Sequence, residues 1–122
     1  MSRVLVVDDN VDIIELVLYG FTKDGWTTES IIGGRPALAR IEQGGIDLVI
    51  SDIRMPNGTG IDLMRGLRRM QKERETPPVI IMTGLLEKGE SYLRALGAKA
   101  IFMKPLSLKE LIKTANELVK KP

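Results

Sequence analysis

The chain has 122 residues, 18 lysines and arginines against 16 aspartates and glutamates, a formal charge of +2, and neither cysteine nor histidine. The missing cysteine excludes disulfides and thiol chemistry and fits a reducing compartment, while the missing histidine excludes serine–histidine triads, histidine bases and histidine metal ligands. The small net charge is a weak argument for nucleic acid, although the pI is near 9.0.

No apolar run reaches the roughly 18 residues that span a bilayer, and the start of the chain has no long apolar segment of the signal-peptide kind. Residues 1–122 therefore read as one cytoplasmic domain, with 43% apolar residues for its core.

Arg3 to Val7 is a β-branched run suited to a buried strand, and it ends at Asp8-Asp9. A helix follows from about Asn10, which, like Asp9, suits an N-cap. Ile13, Ile14, Val17, Leu18 and Phe21 recur at helical spacing, and Gly25 closes the helix. Trp26 to Ile31 reads as a second, more polar strand at a sheet edge. Gly33-Gly34 turns into a helix with Pro36 in its first turn and Ala37, Leu38 and Ile41 inward, ended by Gly44-Gly45. Ile46 to Ser51 is the third strand; it stops at Asp52, ahead of a turn-rich stretch holding Pro56, Gly58 and Gly60.

Ile61 to about Arg74 predicts a third helix with Ile61, Leu63, Met64, Leu67 and Met70 as core candidates, halted by Thr76-Pro77-Pro78. Val79 to Met82 is the fourth strand and runs into Thr83. A glycine-interrupted helix, about Leu86 to Leu96, leads to a fifth strand, Lys99 to Met103, and then to Lys104-Pro105. Ser107-Leu108-Lys109-Glu110 is a capping box for the last helix, whose inner positions are Leu108, Leu111, Ile112, Ala115, Leu118 and Val119.

Five strands alternating with five helices predict an α/β fold with a parallel sheet covered on both faces. All strand carboxyl ends of such a sheet lie at one edge, which would gather Asp8, Asp9, Asp52, Thr83 and Lys104 in one crevice. Taken singly, each has an ordinary explanation: a solvated cap, a turn aspartate, a helix-start threonine, a surface lysine. Jointly they supply what one reaction needs. Three close carboxylates raise one another's pKa unless a cation sits among them, and without histidine or cysteine that cation must take oxygen ligands, as Mg²⁺ does. The metal offers a landing place for a phosphoryl oxygen, Lys104 a second positive charge and Thr83 a hydrogen bond. The chemistry is that of a phosphoryl group placed on a carboxylate, with Asp52 as nucleophile.

Val7-Asp8-Asp9, Asp52-Ile53-Arg54-Met55-Pro56 with Gly60 beyond, Met82-Thr83-Gly84, Gly97-Ala98 and Lys104-Pro105 together resemble the receiver domain of bacterial two-component response regulators. The resemblance implies a doubly wound sheet of order 2-1-3-4-5, the order known from flavodoxin and the chemotaxis regulator. It implies that Asp52 accepts a phosphoryl group from a phosphohistidine on a partner kinase or phosphotransfer protein. It further implies Mg²⁺ held by Asp9, Asp52 and the Arg54 carbonyl, with Asp8 helping mostly through water. Lys104 would pair with the phosphoryl oxygens, before a cis bond to Pro105. Thr83 would swing inward and shift the face of helix 4, strand 5 and helix 5, where a second copy or an output domain docks. Family members usually carry Tyr or Phe three residues before the lysine. Ile101 stands there instead, and Phe102, one place on, belongs to the opposite face.

Rival readings fit less well. An aspartate-nucleophile phosphohydrolase wants a second Asp two residues after the nucleophile, where this chain has Arg54. A flavin mononucleotide carrier wants a hydroxyl- and glycine-rich first loop, which Asp8-Asp9 would repel. Arg65, Arg68, Arg69 and Lys72 line one side of helix three and read as a solvated face, since no aromatic platform accompanies them as direct nucleic-acid binding would require. Lys121-Pro122 falls where a linker to an output domain often begins.

Overall fold

The computed structural model of the chain describes residues 2–53, 59–84, 89–104 and 107–119. In order they form β1 (Arg3–Val7), α1 (Val11–Lys23), β2 (Thr27–Ile31), α2 (Gly34–Glu42), β3 (Leu48–Ser51), α3 (Gly60–Met70), β4 (Val79–Thr83), α4 (Glu90–Ala95), β5 (Ala98–Met103) and α5 (Leu108–Leu118). The strands make one parallel sheet of order β2-β1-β3-β4-β5, as the resemblance implied.

Strand side chains alternate between two faces, and both faces are covered by helices. Leu5, Val7, Val49 and Ile81 pack with Ala37, Leu63, Leu67 and Leu93 of α2, α3 and α4. Val4, Val6, Leu48, Ile50, Ile80 and Met82 pack with Val17, Phe21, Leu111 and Ala115 of α1 and α5. Double-sided burial is why β1, β3 and β4 read as unbroken apolar runs, and β2, at the edge, does not.

Caps set the helix starts. The Asn10 side chain accepts from the Ile13 N–H at 3.2 Å, and the Ser107 hydroxyl from the Glu110 N–H at 3.3 Å. The α3 start lies one residue before the expected Ile61, and its cap was not anticipated. Thr59 accepts from the Asp62 N–H at 3.1 Å while the Asp62 carboxylate accepts from the Thr59 N–H at 2.9 Å. This is a capping box with aspartate where glutamate or glutamine is usual, so its pattern was missed in the sequence.

Three further boundaries moved. Trp26 precedes β2 rather than opening it: the indole stands edge-on to Phe21, with centroids 5.2 Å apart, and its N–H donates to Asn116 of α5 at 3.2 Å. So large an aromatic surface gains more between two helices than at a sheet edge. Asp47 stays out of β3 because its carboxylate accepts from the Arg3 N–H at 2.8 Å. Helix α3 stops at Met70, four residues early, and Arg74 instead donates to the Glu42 carbonyl at 2.7 Å. Helix α4 is described from Glu90, and the expected segment Leu86–Lys88 lies outside the described residues. The basic side of α3 is only partly a solvated face. Arg65 donates to the Tyr92 hydroxyl at 3.1 Å and Arg68 to the Ala95 carbonyl at 2.6 Å, so both hold α4.

Gly60 fixes how closely α3 approaches the end of β3. Its N–H donates to the Ile53 carbonyl at 2.7 Å, and a Cβ there would strike the Asp52 carbonyl and lie 2.9 Å from the Ile53 Cα. Both obstacles are backbone and cannot rotate away. Gly60→Ala is expected to destabilise the fold by about 1–3 kcal/mol in urea unfolding; an unchanged midpoint would contradict this close approach.

Candidate functional site

Parallel register carries the chemistry to one edge. Val7 pairs with both Ile31 and Ser51, so Asp8 and Asp52 are the first residues past adjacent strands. The Asp52 N–H still donates to the Val7 carbonyl at 2.8 Å, and the Asp8 N–H to Ile31 at 3.3 Å. Thr83 pairs with Met103, and the next N–H, that of Lys104, donates to the Thr83 carbonyl at 2.8 Å. The last ladder bonds of the sheet therefore hold the backbone of the site.

Asp8 is fully buried, Asp52 is 9% exposed and Thr83 3% exposed, while Asp9 faces solvent. Carboxylate oxygens of Asp8, Asp9 and Asp52 lie within 4.8 Å of one another. The Lys104 Nζ reaches into the cluster, 3.0 Å from Asp8 Oδ2 and 3.3 Å from Asp52 Oδ2. The second oxygens are held by backbone: Asp8 Oδ1 accepts from the Asn10 N–H at 3.0 Å and Asp52 Oδ1 from the Ile53 N–H at 2.7 Å. Ser51 donates its hydroxyl to the Asp52 carbonyl at 2.7 Å, which fixes the backbone on which Asp52 rides.

One ammonium thus serves two buried carboxylates, with a third beside them, and the cluster keeps an excess of negative charge. Burial, then the field of Asp8, pushes the Asp52 carboxyl above its ordinary value; the Ile53 N–H and Lys104 only partly offset this. For Lys104, burial works against the charge, but the hydrogen bond to Asp8 and the fields of Asp52 and Asp8 outweigh it. Its pKa rises and it stays an ammonium. An uncompensated anionic pocket of this kind favours a cation, and the donors are all hard oxygens, which suits Mg²⁺. Asp8, Asp9 and Asp52 are the residues able to hold it; the Arg54 carbonyl and the Lys104–Pro105 bond involve residues outside those described.

The structure brings the Asp8, Asp9, Asp52 and Lys104 side chains together and buries Thr83 at the end of β4, where its carbonyl accepts from the Lys104 N–H. Sequence reasoning missed the Asn10 and Ile53 N–H groups, because a backbone donor leaves no mark in residue type, and it missed Ser51, which reads only as the last residue of a strand. Ile101 packs on the α2–α4 side of the sheet and Phe102 on the α1–α5 side, the opposite placement expected of them. Tyr92 of α4 packs against the same core cluster as Ile101. A roomier cavity, about 630 Å³, lies at the other edge of the sheet among Met64, Leu67, Pro78, Leu96 and Leu118 and contains none of the acids.

Comparison with known proteins gives this arrangement a family. A model of the response regulator receiver domain matches residues 4–116. Response regulator SaeR of Staphylococcus epidermidis is 31% identical over 120 residues, which are 98% of this chain and 51% of that protein. The chain therefore spans about half the length of the curated relatives it matches. The receiver domain of Francisella response regulator 1452 superposes with a TM-score of 0.86 at 31% identity, covering 98% of each chain. TrrA of Thermotoga maritima, a response regulator solved in complex with Mg²⁺ and BeF, superposes with a TM-score of 0.83 at 30% identity, covering 97% of this chain and 99% of its own. The match spans nearly the whole fold, acidic edge included, and the chain belongs to the response regulator receiver domain family, the phosphoacceptor signalling modules of two-component systems.

Proposed function

We propose that Asp52 is the phosphoacceptor and that residues 1–122 work as one receiver module in the cytoplasm. The observation that carries this reading is the Lys104 ammonium seated between Asp8 and Asp52, beside a third carboxylate at the carboxyl edge of a parallel sheet. In the reaction an Asp52 carboxylate oxygen attacks phosphorus of a phosphohistidine on a partner kinase or phosphotransfer protein. The P–O bond forms as the P–N bond breaks, and the imidazole leaves with the bonding pair. Residues 1–122 contain no histidine, so the donor imidazole lies outside them.

Asp8, Asp9 and Asp52 would hold Mg²⁺, joined by the Arg54 carbonyl, and the ion would neutralise charge on the phosphoryl oxygens. The crystallised TrrA complex with Mg²⁺ and BeF supports that choice of ion. Lys104 already lies at the acid cluster and would turn from Asp52 Oδ2 to a phosphoryl oxygen, a charge-assisted contact that needs little rearrangement. Thr83, buried at the end of β4, would offer its hydroxyl to the same group. A gain of nearly two negative charges at Asp52 would then bias α4, β5 and α5, the face offered to an output domain or a second copy. The chain promotes its own phosphorylation and dephosphorylation and turns over no separate substrate. The kinase and the output belong to parts of the system outside this half-length match.

With acetyl phosphate and Mg²⁺, intact mass spectrometry should show a gain of one phosphoryl group, absent from Asp52→Asn. A gain that persists in Asp52→Asn would assign the acceptor elsewhere.

The raised Asp52 pKa has a stability consequence. The folded state binds this proton at pH values where the unfolded chain has released it, so charge on Asp52 costs stability. That cost grows as pH rises from the ordinary carboxylate value of 3.8 through the raised folded value, and it is complete above that value. Without Mg²⁺ at neutral pH, Asp52→Asn should melt about 4 °C higher than the wild type, the shift that about 1 kcal/mol gives a domain of this size. The difference should vanish in acid; a lower melting point at neutral pH would show that the Lys104 bond outweighs burial.

A further inference from the structure

Helices α2 and α3 enclose a second cavity of about 310 Å³, lined by Gly34, Arg35, Leu38, Asp62, Arg65 and Arg69 and separate from the acid cluster. Gly66 lets the helices close on each other, since a Cβ there would strike the Leu38 side chain. Arg65 and Arg69 stand one turn apart on α3, so they share a face, and Arg35 comes from the first turn of α2. All three arginines are exposed. Among the described residues, the Arg35 and Arg69 side chains make no hydrogen bond or ion pair, and Arg65 donates to the Tyr92 hydroxyl.

Asp62 is the single carboxylate of the cavity, and it is occupied. Its Oδ2 accepts from the Thr59 N–H at 2.9 Å and lies 3.2 Å from the Thr59 hydroxyl, and it forms no ion pair with the arginines. Those Thr59 bonds first, then the fields of Arg35 and Arg65, keep it below the ordinary carboxylate range and charged. Three guanidiniums against one committed carboxylate leave two positive charges without a counterpart. The pole of α2 adds to them, for Gly33 offers no side-chain cap and the first turn holds no acid. Planar guanidinium forks match phosphate oxygens two at a time, and Leu38 supplies an apolar wall.

We propose that this groove binds a small phosphate-bearing anion of the phosphomonoester class, held by Arg35 and Arg69, with Arg65 joining them. Its volume is at the lower end of the roughly 300–1,000 Å³ usual for small-molecule sites and leaves room for more than the phosphate itself. Because Arg65 also tethers Tyr92, an anion there reaches α4, so occupancy of the groove couples to a helix of the signalling face.

The test is an NMR titration of the whole chain, free of Mg²⁺, with inorganic phosphate, pyrophosphate and AMP. Saturable shifts are expected at the Gly34, Arg69 and Tyr92 amides, weakened about tenfold by Arg35→Gln or by Arg69→Gln, the effect of one charge-assisted contact. Neither variant should alter the fold, since among the described residues neither side chain makes a hydrogen bond or ion pair and Arg35 acts on Asp62 only through its field. Asp52→Asn should bind as the wild type does. Tighter binding of AMP than of phosphate assigns an ester, and equal binding assigns the free anion. The proposal fails if no probe saturates by about 10 mM, if the double variant binds as well as the wild type, if Asp52→Asn abolishes the shifts, or if an Asp/Glu-rich peptide binds tighter than every phosphate.

Discussion

A single ammonium shared by two buried carboxylates organises this molecule. Lys104 sits 3.0 Å from Asp8 and 3.3 Å from Asp52, and those residues come from strands that pair with each other but not with β5. Losing Lys104 would leave two buried carboxylates with no cation between them, a far larger cost than losing a surface pair. The compensation is incomplete even so, because Asp9 adds a third negative group at the mouth. The site is thus stable enough to fold and still short of positive charge, which is the condition for recruiting a cation and then an anionic phosphoryl group.

Everything that brings Lys104 to its partners is a property of the sheet. Placing β1 beside β3 sets Asp8 beside Asp52, and β4 separates them from β5, so the lysine must extend across the end of β4 over Thr83. Gly60 and the Thr59–Asp62 box then hold α3 against the strand end. The same α3 carries arginines to both sides: Arg65 and Arg68 toward α4, Arg65 and Arg69 toward α2. That helix therefore touches the end of β3 at its start and α4 along its length. Ile101 stands where an aromatic is usual, and the Arg65–Tyr92 contact is one of the polar links to α4.

Most of the fold and of the site was legible in the sequence for a physical reason: strands buried on both faces must be apolar throughout, so a polar residue that interrupts them marks a strand end. Asp8, Asp52, Thr83 and Lys104 announced themselves that way. Strand order was not legible from the pattern and came from the family resemblance. Boundaries failed where a side chain found a better tertiary partner than its local propensity offered, as Trp26 did with Phe21 and Asn116 and Asp47 with Arg3. The α3 cap failed because aspartate can do the work of glutamate. The groove between α2 and α3 was invisible because Arg35 and Arg69 lie far apart in the chain, and only the close approach at Gly66 brings their helices together.

If Asp8, Asp9 and Asp52 form one cation site whose charge Lys104 meets only in part, calorimetric titration with Mg²⁺ at neutral pH will register one ion per chain. Its affinity should fall about tenfold or more with Asp9→Asn and with Asp52→Asn, as losing one carboxylate ligand implies. Binding unchanged by both substitutions, or no binding to the wild type at about 10 mM Mg²⁺, would rule that site out.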